Sequence, residues 1–295
     1  MELKVIAGIV LFNPNLERLK ENIDAIKPQV DLLLFIDNGS KDQSYKERLK
    51  GSENIVVVRN EKNMGIAYAL NQILGYAYCH GYKWALTLDQ DSVAADNMIE
   101  VYKSLVADDV GMVGCMIIDR NFKRDQSWGI ARQVVEMNWI ITSASLTNVD
   151  AWMKCGGFDT GMFIDWVDWD IGESMRKVGY RIIRSYKTSL LQELGHNTRL
   201  ERIRMHEMQI MNHSTFRYYH FFRNRIYMSR KYKHISFFHE VKENCFQMYA
   251  ILKYEDKKMD KFLAFLRATI VGLFYPRVKH QFIDDEFLSI EGDLL

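Results

Sequence analysis

The sequence predicts an α/β fold in which helices flank a sheet of βαβ units with right-handed crossovers. Three observations carry that expectation: short apolar runs closed by Asn, Asp, Gly or Pro, helical periodicity between the runs, and clusters of polar residues where runs end.

The first run, Val5 to Phe12, is continuous and stops at Asn13-Pro14, the pattern of a strand buried on both faces of a parallel sheet. Leu16, Leu19, Ile23 and Ile26 then recur at helical spacing up to Pro28. Leu32 to Ile36 reads as a second strand, closed by Asp37-Asn38-Gly39-Ser40, and Ile55 to Arg59 as a third. A helix follows from Gly65 to Tyr78, then a fourth strand from Trp84 to Leu88 that delivers Asp89-Gln90-Asp91-Ser92. Val110 to Ile118 is another strand, Ile140 to Ser145 leads to a helix containing Trp152, and Tyr180 to Ile183 reads as a short edge strand. His239 to Leu295 carries two helical patterns; the second, from Phe262 to Phe274, has a wide apolar surface ended by Pro276, and the acidic tail after Asp284 is expected to be mobile.

At 295 residues, 48% of them hydrophobic and 26% charged, the chain can bury a large core and is not disordered. A net charge of +1 gives no general attraction to nucleic acid. Cys79, Cys115, Cys155 and Cys245 are far apart, so neither a zinc knuckle nor a disulfide framework is indicated. No apolar run approaches the roughly 20 residues of a membrane span, and the N-terminus shows no secretory signal, so a cytoplasmic protein is expected, peripheral at the inner face of a membrane at most.

Asp89 and Asp91 are spaced i, i+2 at a strand end, which aims both carboxylates to one side. Two such acids repel unless a cation lies between them, and Mg2+ or Mn2+ accepts oxygen ligands while holding a diphosphate. The same spacing also occurs in surface turns. Ligands of parallel sheets bind beyond the carboxyl ends of the strands, where Asp37, Asn60 to Gly65 and Asp89 to Asp91 all lie. An acid such as Asp37 can accept the imide N–H of a pyrimidine, and Asn63-Met64-Gly65 opens a helix whose N-terminus suits phosphate; each is also an ordinary turn or cap.

Val5-Ile6-Ala7-Gly8-Ile9-Val10, Asp37-Asn38-Gly39-Ser40, Asn63-Met64-Gly65 with Ala69 and Asn71, and Asp89-Gln90-Asp91-Ser92 together resemble the family 2 glycosyltransferases of the GT-A fold, in the form seen in bacterial rhamnosyltransferases that use dTDP-rhamnose. The resemblance implies a mixed, Rossmann-like nucleotide-sugar-binding sheet over residues 1–225 and a C-terminal helical extension over 226–295. It implies a donor site at Val10, Asp37, Asn63, Gly65 and Asp89, with Asp91 and His196 on a divalent metal, Mn2+ or Mg2+. It also places Phe163 to Asp170 at the family's acidic pair, where Val167 replaces the first acid and Asp168 matches the second, the general base.

Helical spacing through Ile171, Met175 and Val178 to Gly179 puts Asp168 at a helix start. Asp165, Trp166, Trp169 and Asp170 surround it, and rings beside carboxylates suit a sugar acceptor, although such acids also cap helices. Thr142, Ser143 and Ser145 are turn and capping residues or line an acceptor groove. Arg223, in Phe222-Arg223-Asn224-Arg225, is placed to clamp a diphosphate. Expected partners are a nucleotide-sugar donor and a glycan or lipid-linked acceptor; the last helix is expected to pack on the core or on a second copy in a homodimer, since lysines flank most helices, with a membrane interface as the alternative. The rivals are a nucleotidyltransferase, whose glycine-rich basic loop Asn13-Pro14-Asn15 does not match, and a non-catalytic carbohydrate- or partner-binding module.

Overall fold

The computed structural model describes residues 3–49, 53–120, 133–193, 199–203, 206–276, 283 and 285–294. The early strands and helices follow the apolar pattern: β1 (Val5–Leu11), α1 (Leu16–Ile26), β2 (Leu32–Asp37), α2 (Tyr45–Leu49), β3 (Ile55–Arg59), α3 (Ile66–Cys79) and β4 (Trp84–Asp89). Asn15 caps α1 by accepting from the Glu17 and Arg18 amides, and Pro28 ends it. Most of α3 is buried, Ala67, Ala69 to Ala77 included, because sheet and chain both pack on it.

The chain continues through β5 (Val93–Ala94), α4 (Met98–Lys103), β6 (Val110–Asp119), β7 (Val134–Met137), β8 (Ser145–Asn148), α5 (Val149–Cys155), α6 (Val167–Lys177) and β9 (Arg181–Gln192). With β12 (Asp293–Leu294), these strands form one 10-stranded sheet of order β12-β3-β2-β1-β4-β8-β6-β9-β5, β7 lying against β9. β3, β2, β1 and β4 are parallel, as are β6 and β9, whereas β8 runs antiparallel between β4 and β6. The sheet is therefore mixed. Its main core includes Ile9, Phe35, Leu86, Val113 and Leu146, all buried.

Two expectations need correction. The strand at Tyr180 is neither short nor at an edge: β9 spans 12 residues and pairs with β6, β5 and β7. Arg184, Ser185 and Lys187 break its apolar pattern, yet Ser185 and Leu190 are buried and the ladder absorbs the break as a register shift. The acidic tail is also docked. Phe287 is 2% exposed, and β12 pairs antiparallel with β3. Gly75 allows this approach, since a Cβ there would collide with the Phe287 carbonyl oxygen.

The chain divides into two units, one of Met1–Thr160, Val167–Gln192 and His280–Leu295, the other of Gly161–Trp166 and Glu193–Lys279. The second holds the hairpin β10 (Arg199–Ile203) and β11 (His206–Ile210) and the helices α7 (Thr215–Lys231), α8 (Phe237–Tyr254) and α9 (Lys258–Phe274). The sequence-based boundary at residue 225 lies inside α7. Tyr218, Phe222, Met248, Ile251 and Ala268 form the helices' shared core. Lys261 donates to Glu255 at 2.8 Å and to Asn212 at 2.7 Å, while Tyr218 donates to Glu255 at 2.5 Å, so this buried ion pair is hydrogen-bonded on both sides.

Candidate active site

Strand register brings the polar ends of the first unit level. Leu11 lies opposite Asp37, Asp37 opposite Arg59, and Val10 opposite Asp89. Val10 is partly exposed while the rest of β1 is buried, so it marks where the sheet opens. The proposed donor residues therefore share one edge of the sheet, the carboxyl end of its parallel strands.

Asn38 organises this edge. Its Oδ1 accepts from the Met64 amide at 2.9 Å and from Asn60, and its Nδ2 donates to Asn63 and to the Gly65 carbonyl, each at 3.1 Å. Asn63 Oδ1 also accepts from the Gly65 amide, folding the segment into a tight hook. Gly65, with φ +89° and ψ 165°, occupies backbone space reserved for glycine and starts α3. Asp37, the expected base reader, is fully buried. Its Oδ1 accepts from Ser40 N–H and its Oδ2 from the Tyr45 hydroxyl, both at 2.8 Å, with Arg59 at 3.4 Å. As the chain stands, that carboxylate holds the loop through these contacts. Asn38 was passed over as a turn residue; its signal is an amide at a strand end with several backbone groups to satisfy.

The Asp89 turn is held from four sides. Asn22 of α1, wholly buried, donates to the Asp89 carbonyl at 2.6 Å; Gln192 of β9 donates to Asp89 Oδ2 at 2.6 Å. Ser143 accepts from the Asp89 amide at 3.1 Å and shares a hydrogen bond with Ser92 at 2.9 Å. Gln90 Oε1 accepts from the Phe12 amide at 2.8 Å, tying the turn to the end of β1. Asp91 is partly exposed in the middle of this frame. Asn22 and Gln192 were not singled out in the sequence; an Asn in phase with Leu19 and Ile26 on the buried face of α1 was the available sign.

Asp168, on the first turn of α6, reaches the same frame through one connection. Its Oδ1 accepts from the Thr142 amide at 2.8 Å, and the Thr142 carbonyl accepts from Thr87 of β4 at 2.6 Å. The next residue is Ser143, which binds the Asp89 turn. The helix-borne acid and the strand-end acids are thus joined by a two-residue bridge, and the turn reading of Thr142 and Ser143 describes their role. Trp169 beside Asp168 is partly exposed, whereas Asp170 is 1% exposed and faces the interior, against its expected place on acceptor hydroxyls.

In the second unit, Asp165 and Trp166 both have positive φ, +64° and +70°, a strained pair for residues with side chains. The strain is held by α7. Arg217 grips the Asp165 carboxylate at 2.9 Å, and Asn224 donates to the Ile164 and Asp165 carbonyls, both at 2.9 Å. Burial raises the Asp165 carboxyl above its ordinary range against the pull of Arg217. Arg223, read from sequence as a diphosphate clamp, is 4% exposed; it donates to the Gly161 carbonyl at 2.7 Å and to Asn224, and stacks on Tyr275. Those contacts give it a structural task in the same loop. The Trp166 ring packs near the Arg225 guanidinium and Phe221. His196, the expected second metal ligand, lies outside the described residues.

A divalent metal with oxygen ligands fits the Asp89 turn in part. Two carboxylates end one strand, and Gln192 Oε1 beside them is buried with no hydrogen-bond partner. Among the described residues no group of three His, Cys, Asp or Glu is arranged to hold a metal alone. That donor set suits a metal shared with a ligand's own oxygens rather than a closed cage.

Known proteins resemble the chain in sequence and in fold. A dTDP-rhamnosyl transferase, RfbF of Shigella flexneri, is 22% identical over 294 residues, 92% of this chain and 96% of the relative. Among solved structures, residues 1–349 of TarS from S. aureus align with a TM-score of 0.58 at 12% identity, covering 92% of this chain and 81% of that one; TarS has also been solved with UDP-GlcNAc. GalNAc-T7, crystallised with UDP, GalNAc and Mn2+, aligns with a TM-score of 0.56 at 12% identity, covering 77% of this chain, which spans 48% of that one. These neighbours share the GT-A fold. The family model described as "Glycosyl transferase family 2" matches residues 7–163, more than half of the sequence, and so the chain belongs to glycosyltransferase family 2.

Proposed function

We propose that the protein is an inverting glycosyltransferase that moves a sugar, rhamnose from dTDP-rhamnose first among the donors, to a hydroxyl of a glycan acceptor carried on a lipid during surface polysaccharide synthesis. The observation that carries this reading is the bridge from Asp168 through Thr142 and Ser143 to the Asp89 turn. It ties a potential proton acceptor to potential donor-holding groups at one sheet edge.

In this reading the hook at Asn63 and Gly65, built on Asn38, supports the nucleotide, and Asp89 and Asp91 face its diphosphate. A divalent metal, when bound at those carboxylates, would neutralise charge on the leaving diphosphate. Asp168 accepts the proton of the acceptor hydroxyl as that oxygen attacks the anomeric carbon. The bond from that carbon to the diphosphate oxygen breaks on the opposite face, dTDP leaves, and the configuration inverts. The Thr142 amide fixes one carboxylate oxygen of Asp168, so orientation is set before the acceptor arrives. Trp169, partly exposed beside the base, offers a ring to the acceptor sugar.

The test is calorimetric titration of dTDP-rhamnose, UDP-galactofuranose and UDP-galactose with and without Mn2+ or Mg2+, on the native chain and Asp91→Ala. Metal-dependent binding of dTDP-rhamnose that the variant loses supports the reading. Preference for a UDP-sugar would change the donor, and no binding by folded protein would favour a non-catalytic binding module.

A further inference from the structure

Helix α9 presents two unlike faces. Phe262, Phe265 and Ala268 turn inward to the core shared with α7 and α8, and Gly272 lies against the Arg223 carbonyl and Ile226. The opposite face carries Met259, Leu263, Leu266, Ile270 and Phe274, exposed by 67%, 57%, 42%, 60% and 79%. Steps of four, three, four and four residues align them in one stripe along the helix. Its 17 residues make that stripe about 25 Å long.

We propose that this face of α9 seats at the headgroup–acyl boundary of an anionic lipid bilayer. Charge is the first argument. Lys257 and Lys258 stand exposed at the N-terminal end, where the helix dipole disfavours cations. Lys257 also has φ +50° and makes no side-chain cap. A helix start that breaks two local rules has a use for those charges beyond the helix, and acidic headgroups supply the complement. Arg267 stands exposed at the border of the stripe, and the exposed acids beside these cations are Asp256, which accepts from Asn212, and Asp260.

Area is the second argument. Five such side chains expose roughly 500–600 Å² of apolar surface, the upper end of the largest patch on a typical monomer, which marks this face as an interaction surface. The third is a groove of about 470 Å³ between α7 and α9, lined by Phe216, Tyr219, Leu263 and Ala264 with Thr215, His220 and the opposite charges Asp260 and Arg267 among them. It borders the stripe at Leu263 and gives an acyl segment an apolar seat. Among the described residues no helix is long and apolar enough to cross a membrane, so the contact is interfacial. This surface does not depend on which nucleotide-sugar is the donor.

The test is flotation of the full chain with phosphatidylcholine vesicles, with and without phosphatidylglycerol. The native chain should float with the anionic vesicles, less so as salt rises. Leu263→Glu/Ile270→Glu should lower binding by about tenfold or more, and Lys257→Glu/Lys258→Glu should remove its salt dependence. Circular dichroism and donor titration should be unchanged in both variants, because these side chains are exposed. Failure of the native chain to float, or equal flotation of a folded Leu263→Glu/Ile270→Glu variant, would overturn the proposal. So would a native dimer in sedimentation that the same variant splits, since the stripe would then belong to a second copy.

Discussion

Ser143→Ala removes one oxygen from the bridge between the two acidic clusters. Ser143 is 4% exposed; its Oγ accepts from the Asp89 amide and shares a hydrogen bond with Ser92. The substitution leaves the Asp89 N–H without that acceptor in a place water reaches poorly, a cost of about 1–3 kcal/mol, and removes a neutral hydrogen bond of about 1 kcal/mol. Part of this is recovered if the turn shifts toward water. A net loss of about 1–3 kcal/mol in urea unfolding is therefore expected. Because the turn carries Asp91, kcat/KM for sugar transfer should fall by about ten- to a hundredfold, worth roughly 1.4–2.7 kcal/mol in the transition state. The activity loss should exceed that of an equally destabilising change elsewhere in the sheet, such as Val113→Ala. Unchanged stability together with unchanged transfer would refute the idea that Ser143 holds the site.

Further outcomes follow from other contacts. Asn38→Ala removes the amide that gathers Met64, Asn63, Asn60 and Gly65, and donor affinity measured by calorimetry should drop by about tenfold or more with the fold kept. Lys261→Met leaves the Glu255 carboxylate buried without its cation and should cost about 3–5 kcal/mol in thermal or urea unfolding, while Lys261→Met/Glu255→Leu should recover most of it. Gly75→Ala forces the Phe287 carbonyl away and should destabilise by about 1–3 kcal/mol, with earlier proteolysis of the C-terminal tail. Burial pushes His213 and His220 down to about 4 from an ordinary 6.5. Between those values the unfolded chain binds more protons, so this stability is full above about pH 6.5 and is lost as pH falls toward about 4. Asp165, raised by burial, acts in the opposite sense near the acid end. A fall of about 1–3 kcal/mol between pH 7 and pH 5 should appear in urea titrations, after discounting for solvent screening.

The parallel half of the sheet was legible because β1 to β4 are buried nearly throughout, so apolar run length and strand coincide. The sheet's other half was harder. β9 carries Arg184 and Lys187 between buried positions, and pairing with three strands, not its own pattern, keeps it extended. Tail composition suggested mobility, yet one aromatic, Phe287, and the open edge of β3 are enough to dock it. At the site, the chemistry-bearing residue types were visible while their solvent access was not. Asp37 and Arg223 look alike in sequence whether they face a ligand or spend their hydrogen bonds inside, and here both are buried. Thr142 and Ser143 were ordinary turn residues until the fold placed them between Asp168 and Asp89.

In the proposed reaction Asp168 is the base that takes the proton of the acceptor hydroxyl. Single-turnover transfer from dTDP-rhamnose to a membrane glycolipid extract, followed as dTDP release by the native chain and by Asp168→Asn, tests it most directly. The variant should bind the donor as the native chain does, with the chemical step slowed by about 10²–10⁴-fold. Transfer within about threefold of the native rate would show that Asp168 is not the base.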